Sequence, residues 1–236
     1  MKLRDWVRLP SAWIEEEGLK AFQWRKGGSG HTAALMLLLA IAHHARDEDG
    51  VARLPYDDLE RITLMSRTKI AEGLRCLESM GLLIGRPEGR STYQLANYDK
   101  DRGWAMLPTR SLYASGRMKG FSGFLLRQYS ELDALKAYLT FAARRDRKLN
   151  AAFITYEKLH DYAGIPDGRI TAAISLLIAA NLVTVEQHQS RADPSRIAHA
   201  YRLTHLNPRL HQGTIGRAGL IPSNVEFQQA PDMLDL

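Results

Sequence analysis

The stretch that decides the fold is SRTKIAEGLRCLESMGLL, residues 66–83. Ser66 suits the N-cap of a helix, because its hydroxyl can accept a hydrogen bond from a backbone N–H of the first turn. Behind it, apolar side chains recur at i, i+4 and i+7, the spacing of one helix face: Ile70, Leu74 and Leu77. Gly81 favours the left-handed conformation that ends helices. The stretch predicts an amphipathic helix bounded by Ser66 and Gly81.

The flanking residues predict further elements on both sides of this helix. Pro55 followed by acidic residues 57 and 58 predicts a shorter helix, because proline fits the first helical position and acids suit the amino-terminal dipole. Farther upstream, the apolar run 33–42 predicts a buried helix, and 51–54 a short strand. Downstream, residues 82–84 and 92–95 predict two strands joined by a turn. This order of elements is that of a winged helix-turn-helix, whose third helix lies in the DNA major groove.

The same pattern occurs twice in the chain. When residue i is placed over residue i + 100, segment 34–83 lies on 134–183 without a gap, and ten of these fifty pairs are identical. The flanks match as well, since Trp6-x-x-Leu9-Pro10 recurs as Trp104-x-x-Leu107-Pro108. A long-period repeat of this kind predicts a repeated structural unit. We interpret it as a tandem duplication of the module.

The sequence therefore predicts a mainly α fold with small β-hairpins (α+β), built as two tandem winged helix-turn-helix domains. The first winged-helix domain is predicted at residues 5–98 and the second at 132–206. Residues 99–131 form a basic connector that includes the leading segment of the second unit, with five basic residues and one acidic residue in 101–130. Its aromatic residues favour packing over nucleic-acid stacking. Residues 207–236, rich in glycine and proline, predict an extended C-terminal tail.

Composition limits the class of protein further. The 236 residues carry 32 Lys and Arg against 26 Asp and Glu, so the net charge is +6, which permits an anionic partner. The single cysteine excludes an internal disulfide framework and a cysteine-rich zinc module. The apolar run 33–42 is shorter than the roughly 20 residues of a bilayer span, and residues 1–6 lack the apolar core expected of a signal peptide. We expect a cytoplasmic protein, associated with a bacterial nucleoid or a plasmid, that does not enter membranes.

A set of core positions carries a resemblance to a known group of proteins. It consists of Leu9-Pro10, Asp49-Gly50, Tyr56-x-x-Leu59, Ser66-Arg67-x-x-Ile70, Leu74-x-x-Leu77-x-x-x-Gly81-Leu82-Leu83 and Tyr93-x-Leu95. This run resembles the amino-terminal winged helix of plasmid replication initiators and phage replisome organisers. Two winged helices in tandem resemble the layout of iteron-binding initiators. The resemblance implies a sequence-specific double-stranded DNA-binding protein that acts as a homodimer in plasmid or mobile-element replication, or in transcription control.

The candidate DNA contacts are basic and hydroxyl side chains on predicted third helices, wings and loops. In the first unit they are Arg67, Thr68, Lys69, Arg75, Arg86 and Arg90. In the second unit they are Arg144, Arg145, Arg147, Lys148, Arg169, Arg191 and Arg196. A solvated mixed-charge surface is the alternative for both sets. The tail ends in DMLDL, which resembles the short peptides that bind replication sliding clamps and suggests a replication-machinery partner; a frayed terminus is the alternative.

A second class of function remains open at this point. The outward face predicted for the third helix of unit two is small and apolar, which suits packing against protein. Tandem winged-helix subunits of SMC complexes, which mainly bind protein partners, are therefore the alternative. No enzyme, cofactor or metal is expected. The Gly-rich stretch 25–32 lacks the Gly-Lys-Ser/Thr ending of a phosphate-binding loop and predicts a flexible loop, and no His or Cys pair has zinc spacing.

Overall fold

A computed structural model gives the fold and describes residues 3–85, 89–101, 103–146, 149–189 and 197–206. The first half, residues 5–98, contains β1 (Trp6–Pro10), α1 (Ala12–Glu15), α2 (Trp24–His44), β2 (Val51–Arg53), α3 (Tyr56–Thr63), α4 (Arg67–Ser79), β3 (Leu83–Ile84) and β4 (Thr92–Leu95). The second half, residues 99–206, contains β5 (Trp104–Pro108), α5 (Tyr129–Ala143), β6 (Ala152–Phe153), α6 (Tyr156–Ala163), α7 (Asp167–Ala179), β7 (Val183–Gln189) and β8 (Ile197–Leu203). Helices with small sheets confirm the predicted α+β class.

The element order repeats from one half to the other. Helices α3 and α6 each have 8 residues, α4 and α7 each have 13, and both pairs are offset by 100 in number. Each half also closes with a three-stranded antiparallel sheet, in the order β2-β4-β3 and β6-β8-β7. The duplicated sequence pattern therefore corresponds to two matching sets of elements.

The two halves meet through equivalent elements. Strand β1 pairs antiparallel with β5, so Trp6 faces Pro108 and Pro10 faces Trp104. The rings of Trp6 and Trp104 stack with centroids 5.7 Å apart. Helix α2 packs against α5 in the same interior. This pairing of like with like has the form of a two-fold interface, in which each copy contributes the same patch.

Hydrogen bonds also link the leading segment of each half to the other half. The backbone N–H of Met118, from the second half, donates to the carbonyl of Ile62 in α3 at 2.8 Å. In the opposite sense, Lys136 in α5 donates through Nζ to the carbonyl of Phe22 in the first half at 3.2 Å. The described residues up to Leu206 accordingly fall in one compact unit.

The core consists of α2 and α5 with the faces that pack on them. Residues 32–43 of α2 are buried on all sides, as expected for a helix that is apolar around its circumference. Helix α4 packs so closely on α2 that a Cβ on Gly73 would lie 3.0 Å from the backbone of Ala33 and Ala34. Within the described residues, no helix combines the length and apolar character that a membrane crossing needs.

Two details differ from the expectations drawn from sequence. The prediction of a flexible loop at 25–32 is wrong, because α2 already begins at Trp24 and absorbs the glycines with a single kink at Gly28 (φ 50°, ψ −130°). Pro55 is the N-cap of α3 and not its first residue. The predicted tail, 207–236, lies outside the described residues.

Candidate nucleic-acid interface

The amino end of α4 is held by the turn that precedes it. Leu64 adopts a left-handed conformation (φ 59°) between α3 and α4, and its N–H donates to the carbonyl of Glu60. Ser66 is the N-cap, and its Oγ accepts a hydrogen bond from the N–H of Lys69 at 3.4 Å. Both Arg67 and Thr68 are exposed. This geometry presents the first turn of α4 to solvent, where side chains and backbone N–H groups can meet a phosphate or base edge.

The cations at this end of α4 already have acidic partners. Arg67 donates through Nε to Glu60 at 2.9 Å and through a terminal nitrogen to Asp57, both on α3. Lys69 pairs with Glu72 one turn along α4, with Nζ 2.5 Å from the carboxylate oxygen. Exposed pairs of this kind contribute only about 0–1 kcal/mol each. An incoming phosphate can therefore replace the carboxylates at small cost.

The other first-half candidates occupy different places. Arg75 is exposed on α4 and donates to the carbonyl of Ala71 at 3.3 Å. Arg90 is exposed in the turn that leads into β4. Arg86 lies outside the described residues. Helix α4 and the approach to β4 thus place exposed cations on two elements.

In the second half, the residue that matches Lys69 is used inside the fold. Arg169 donates to both carboxylate oxygens of Asp133 on α5, at 2.7 and 2.8 Å, and its guanidinium lies 4.4 Å from the ring centroid of Tyr129. Asp133 is 1% exposed, and burial raises the pKa of its carboxyl against the opposing effect of Arg169. We therefore interpret Arg169 as a packing residue and do not carry it forward as a DNA contact.

The basic loop after α5 is also engaged in part. The guanidinium of Arg144 lies 3.9 Å from the ring centroid of Tyr162, and Arg145 donates to Oδ1 of Asn150 at 3.0 Å. Four further candidates lie outside the described residues: Arg147, Lys148, Arg191 and Arg196. Beyond the exposed Asp167 of its first turn, the outward residues of α7 are short or apolar, namely Thr171, Ala172, Ser175, Ile178 and Ala179.

A buried lysine that the sequence analysis missed lies where the halves meet. Lys136 is 2% exposed and donates through Nζ to the carbonyls of Phe22 and Gly164 at 3.2 and 3.3 Å. Burial lowers the pKa of Lys136 to about 8, with Asp133 opposing the decrease and Arg169 adding to it. The sequence signal was present, because the charged residues 133 and 136 lie between the apolar residues of this helix, Leu132, Leu135 and Ala137. Buried charges of this kind need partners.

Two further titratable side chains, His43 and Cys76, are shielded from solvent to different degrees. The ring nitrogens of His43 lie 2.7 and 3.2 Å from the carbonyls of Leu39 and Pro108, and burial lowers its pKa to about 4. Burial raises the pKa of the Cys76 thiol, which disfavours the reactive thiolate. Among the described residues, no three His, Cys, Asp or Glu side chains are grouped to hold a metal ion. In comparisons with known proteins, neither a family model nor a curated protein matches the chain.

Proposed function

We propose that the chain is a sequence-specific double-stranded DNA-binding protein built of two winged helix-turn-helix domains, with α4 as the recognition helix. One observation carries the proposal. The succession of an eight-residue helix, a left-handed turn residue, a thirteen-residue helix and a paired β-ribbon occurs in both halves. In the first half, α4 also carries two cations, Arg67 and Lys69, at its amino end. This end of the second helix of a helix-turn-helix is the part that contacts bases.

The chemistry of α4 suits both parts of DNA recognition. The planar guanidinium of Arg67 can bond two acceptors of a guanine edge, and the hydroxyl and methyl of Thr68 can contact either a base edge or a thymine methyl. Lys69 and Arg90 suit phosphate, whose neutralisation supplies salt-dependent affinity. The net charge of +6 supports such binding without a strongly basic surface.

The biological role that we propose is initiation of plasmid or mobile-element replication, or transcription control, by a cytoplasmic protein that acts as a homodimer. The tandem arrangement of the two modules supports this role through the resemblance described above. In this proposal the protein catalyses no reaction. The tail after Leu206 would connect it to the replication machinery.

The test begins with selection of bound fragments from random DNA by the full chain. Affinity for the selected sequence is then measured by fluorescence anisotropy over a salt series, for the wild type and for R67A/K69A. We expect weaker binding, loss of preference over random DNA, and a salt dependence reduced by about one phosphate per lost contact. The control K20A/R110A removes two exposed, ion-paired cations elsewhere and should keep the preference. Selection that enriches no sequence, or unchanged preference in R67A/K69A, would refute the assignment.

A further inference from the structure

A groove runs beside the carboxyl end of α7, between that helix and the segment 119–128. Its volume is about 620 Å³, within the range of roughly 300–1,000 Å³ found for ligand sites. Phe124, Leu176, Ala179 and Ala180 supply its apolar lining. We call this feature the α7 groove.

The walls of the α7 groove are fixed before anything binds. The carboxylate of Glu131 accepts hydrogen bonds from the N–H groups of Leu125, Arg127 and Gln128 at 2.6, 2.8 and 3.1 Å, which secures the outer wall to α5. Phe124 packs edge-to-face on the buried Phe121, with centroids 5.0 Å apart. A preformed site loses less conformational entropy on binding.

One large apolar side chain stands exposed on the groove. Leu125, on its outer wall, is 64% exposed, the highest value among the five exposed large apolar side chains of the described residues. A large apolar group exposed beside a concave surface suits an interaction site.

The charge at the rim is positive. Lys119 and Arg127 line the groove and are exposed, and no carboxylate of the described residues forms an ion pair with either side chain. The one acidic lining residue, Glu131, is buried and already accepts the three N–H groups named above. In contrast, the cations of α3 and α4 that flank the turn between these helices are paired with carboxylates: Arg61, Arg67 and the half-buried Lys69.

The matching helix end of the first half is lined differently. Met80 stands at the position of Ala180 there, and the pocket that Met80 lines holds about 150 Å³. Ser79 stands at the position of Ala179, and both residues are exposed. Position 79 therefore serves as a matched surface site outside the α7 groove.

We propose that the α7 groove is a docking site for a partner protein, and that it binds a segment with large apolar anchor residues flanked by Asp or Glu. The apolar lining accepts the anchors, while Lys119 and Arg127 complement the acidic flanks and exclude basic ones. DNA is a poor occupant, because the lining between these two cations is apolar and a phosphate backbone cannot fill it. This site is independent of the DNA-binding role proposed for α4.

The test uses a random peptide library displayed on phage and selected on the full chain. We expect enriched peptides to combine large apolar residues with Asp or Glu. The strongest, synthesised with a fluorescent label, should bind about tenfold more weakly to Ala179→Glu, which places a carboxylate in the groove. The matched control Ser79→Glu carries the same charge at the same helix position in the first half and should bind like wild type.

Two further variants separate shape from charge. Gly123→Leu adds an apolar side chain to the lining of the groove without a new charge. A Cβ at Gly123 would meet no atom within 4 Å, so the fold should accept the substitution. We expect this variant also to bind the peptide about tenfold more weakly. K119A/R127A should weaken binding and reduce its salt dependence. Enrichment of no peptide, enrichment of basic peptides, or equal binding by wild type, Ala179→Glu and Gly123→Leu would overturn the proposal. So would sedimentation showing that Ala179→Glu instead dissociates a dimer of the chain.

Discussion

Replacing Lys136 by methionine, the residue at the matching position 36 of the first half, should change how stability depends on pH. Lys136 is 2% exposed, and burial lowers the pKa of its ammonium from 10.5 to about 8. Between these two pH values the unfolded chain binds a proton that the folded chain has released, so the free energy of unfolding rises as the pH increases. A tenfold change in proton affinity is worth about 1.4 kcal/mol, so the full gap corresponds to about 3 kcal/mol.

The measurement is urea denaturation of wild type and Lys136→Met at a series of pH values from 7 to 10. We expect the free energy of unfolding of the wild type to rise relative to that of the variant from about pH 8 upward, at no more than about 1.4 kcal/mol per pH unit. Buried tyrosines act in the opposite direction above about pH 10, because burial raises their pKa values, that of Tyr98 to about 12. They are common to both proteins and cancel in the difference. Parallel curves for the two proteins over pH 8–10 would refute the reasoning.

Three further outcomes follow from the same structure. As the pH falls from 6.5 to about 4, His43 should lower the free energy of unfolding by about 3 kcal/mol, because the unfolded chain protonates it first; His31 and His44, whose pKa values burial also lowers, act in the same direction. Urea denaturation of His43→Gln should therefore show a decrease that is smaller than that of the wild type by about this amount. Gly73→Ala should lower the melting temperature, with a net loss of about 1–2 kcal/mol, because its Cβ would lie 2.6–3.0 Å from atoms of α2 and this overpacking exceeds the gain in helix propensity. D57N/E60Q should raise the affinity for selected DNA by up to about tenfold at low salt, because it frees Arg67 from two exposed pairs; anisotropy titrations showing the same gain in an Arg67→Ala background would contradict this reason.

Local sequence signals predicted most of the elements and little of their assembly. Ser66 and Gly81 bracket α4 as expected, because a cap and a left-handed glycine act on their immediate neighbours. The sequence does not predict the pairing of β1 with β5, even though Trp6 recurs as Trp104, since nothing local to either strand specifies a partner about a hundred residues away. The glycines within 27–30 led to the wrong prediction of a flexible loop. Their helix propensity is weak, but the packing of α2 against the rest of the fold overrides it.

The candidate site shows the same limit at the level of single side chains. Spacing placed Arg67, Lys69 and Arg169 on the outward side of their helices, and the first two are indeed at the surface. Arg169 instead turns to α5 and binds Asp133, which lies 36 residues away in sequence. Helical periodicity predicts the side of the helix from which a side chain projects. A long side chain can still bend towards the partner that it binds most strongly.

Comparison of matched positions explains how two copies of one module can take on different work. Lys69 and Arg169 occupy matching positions, and the position that holds Asp133, the partner of Arg169, is occupied by Ala33 in the first half. A carboxylate at 133 draws the cation of α7 into an internal pair, while alanine at 33 leaves the cation of α4 at the surface beside Glu72. If the two units were separate copies of one gene product, their helices would have to change together. Within a single chain joined through β1 and β5, α4 can keep its charged end, which we propose for DNA, while α7 acquires an apolar face, and neither change constrains the other.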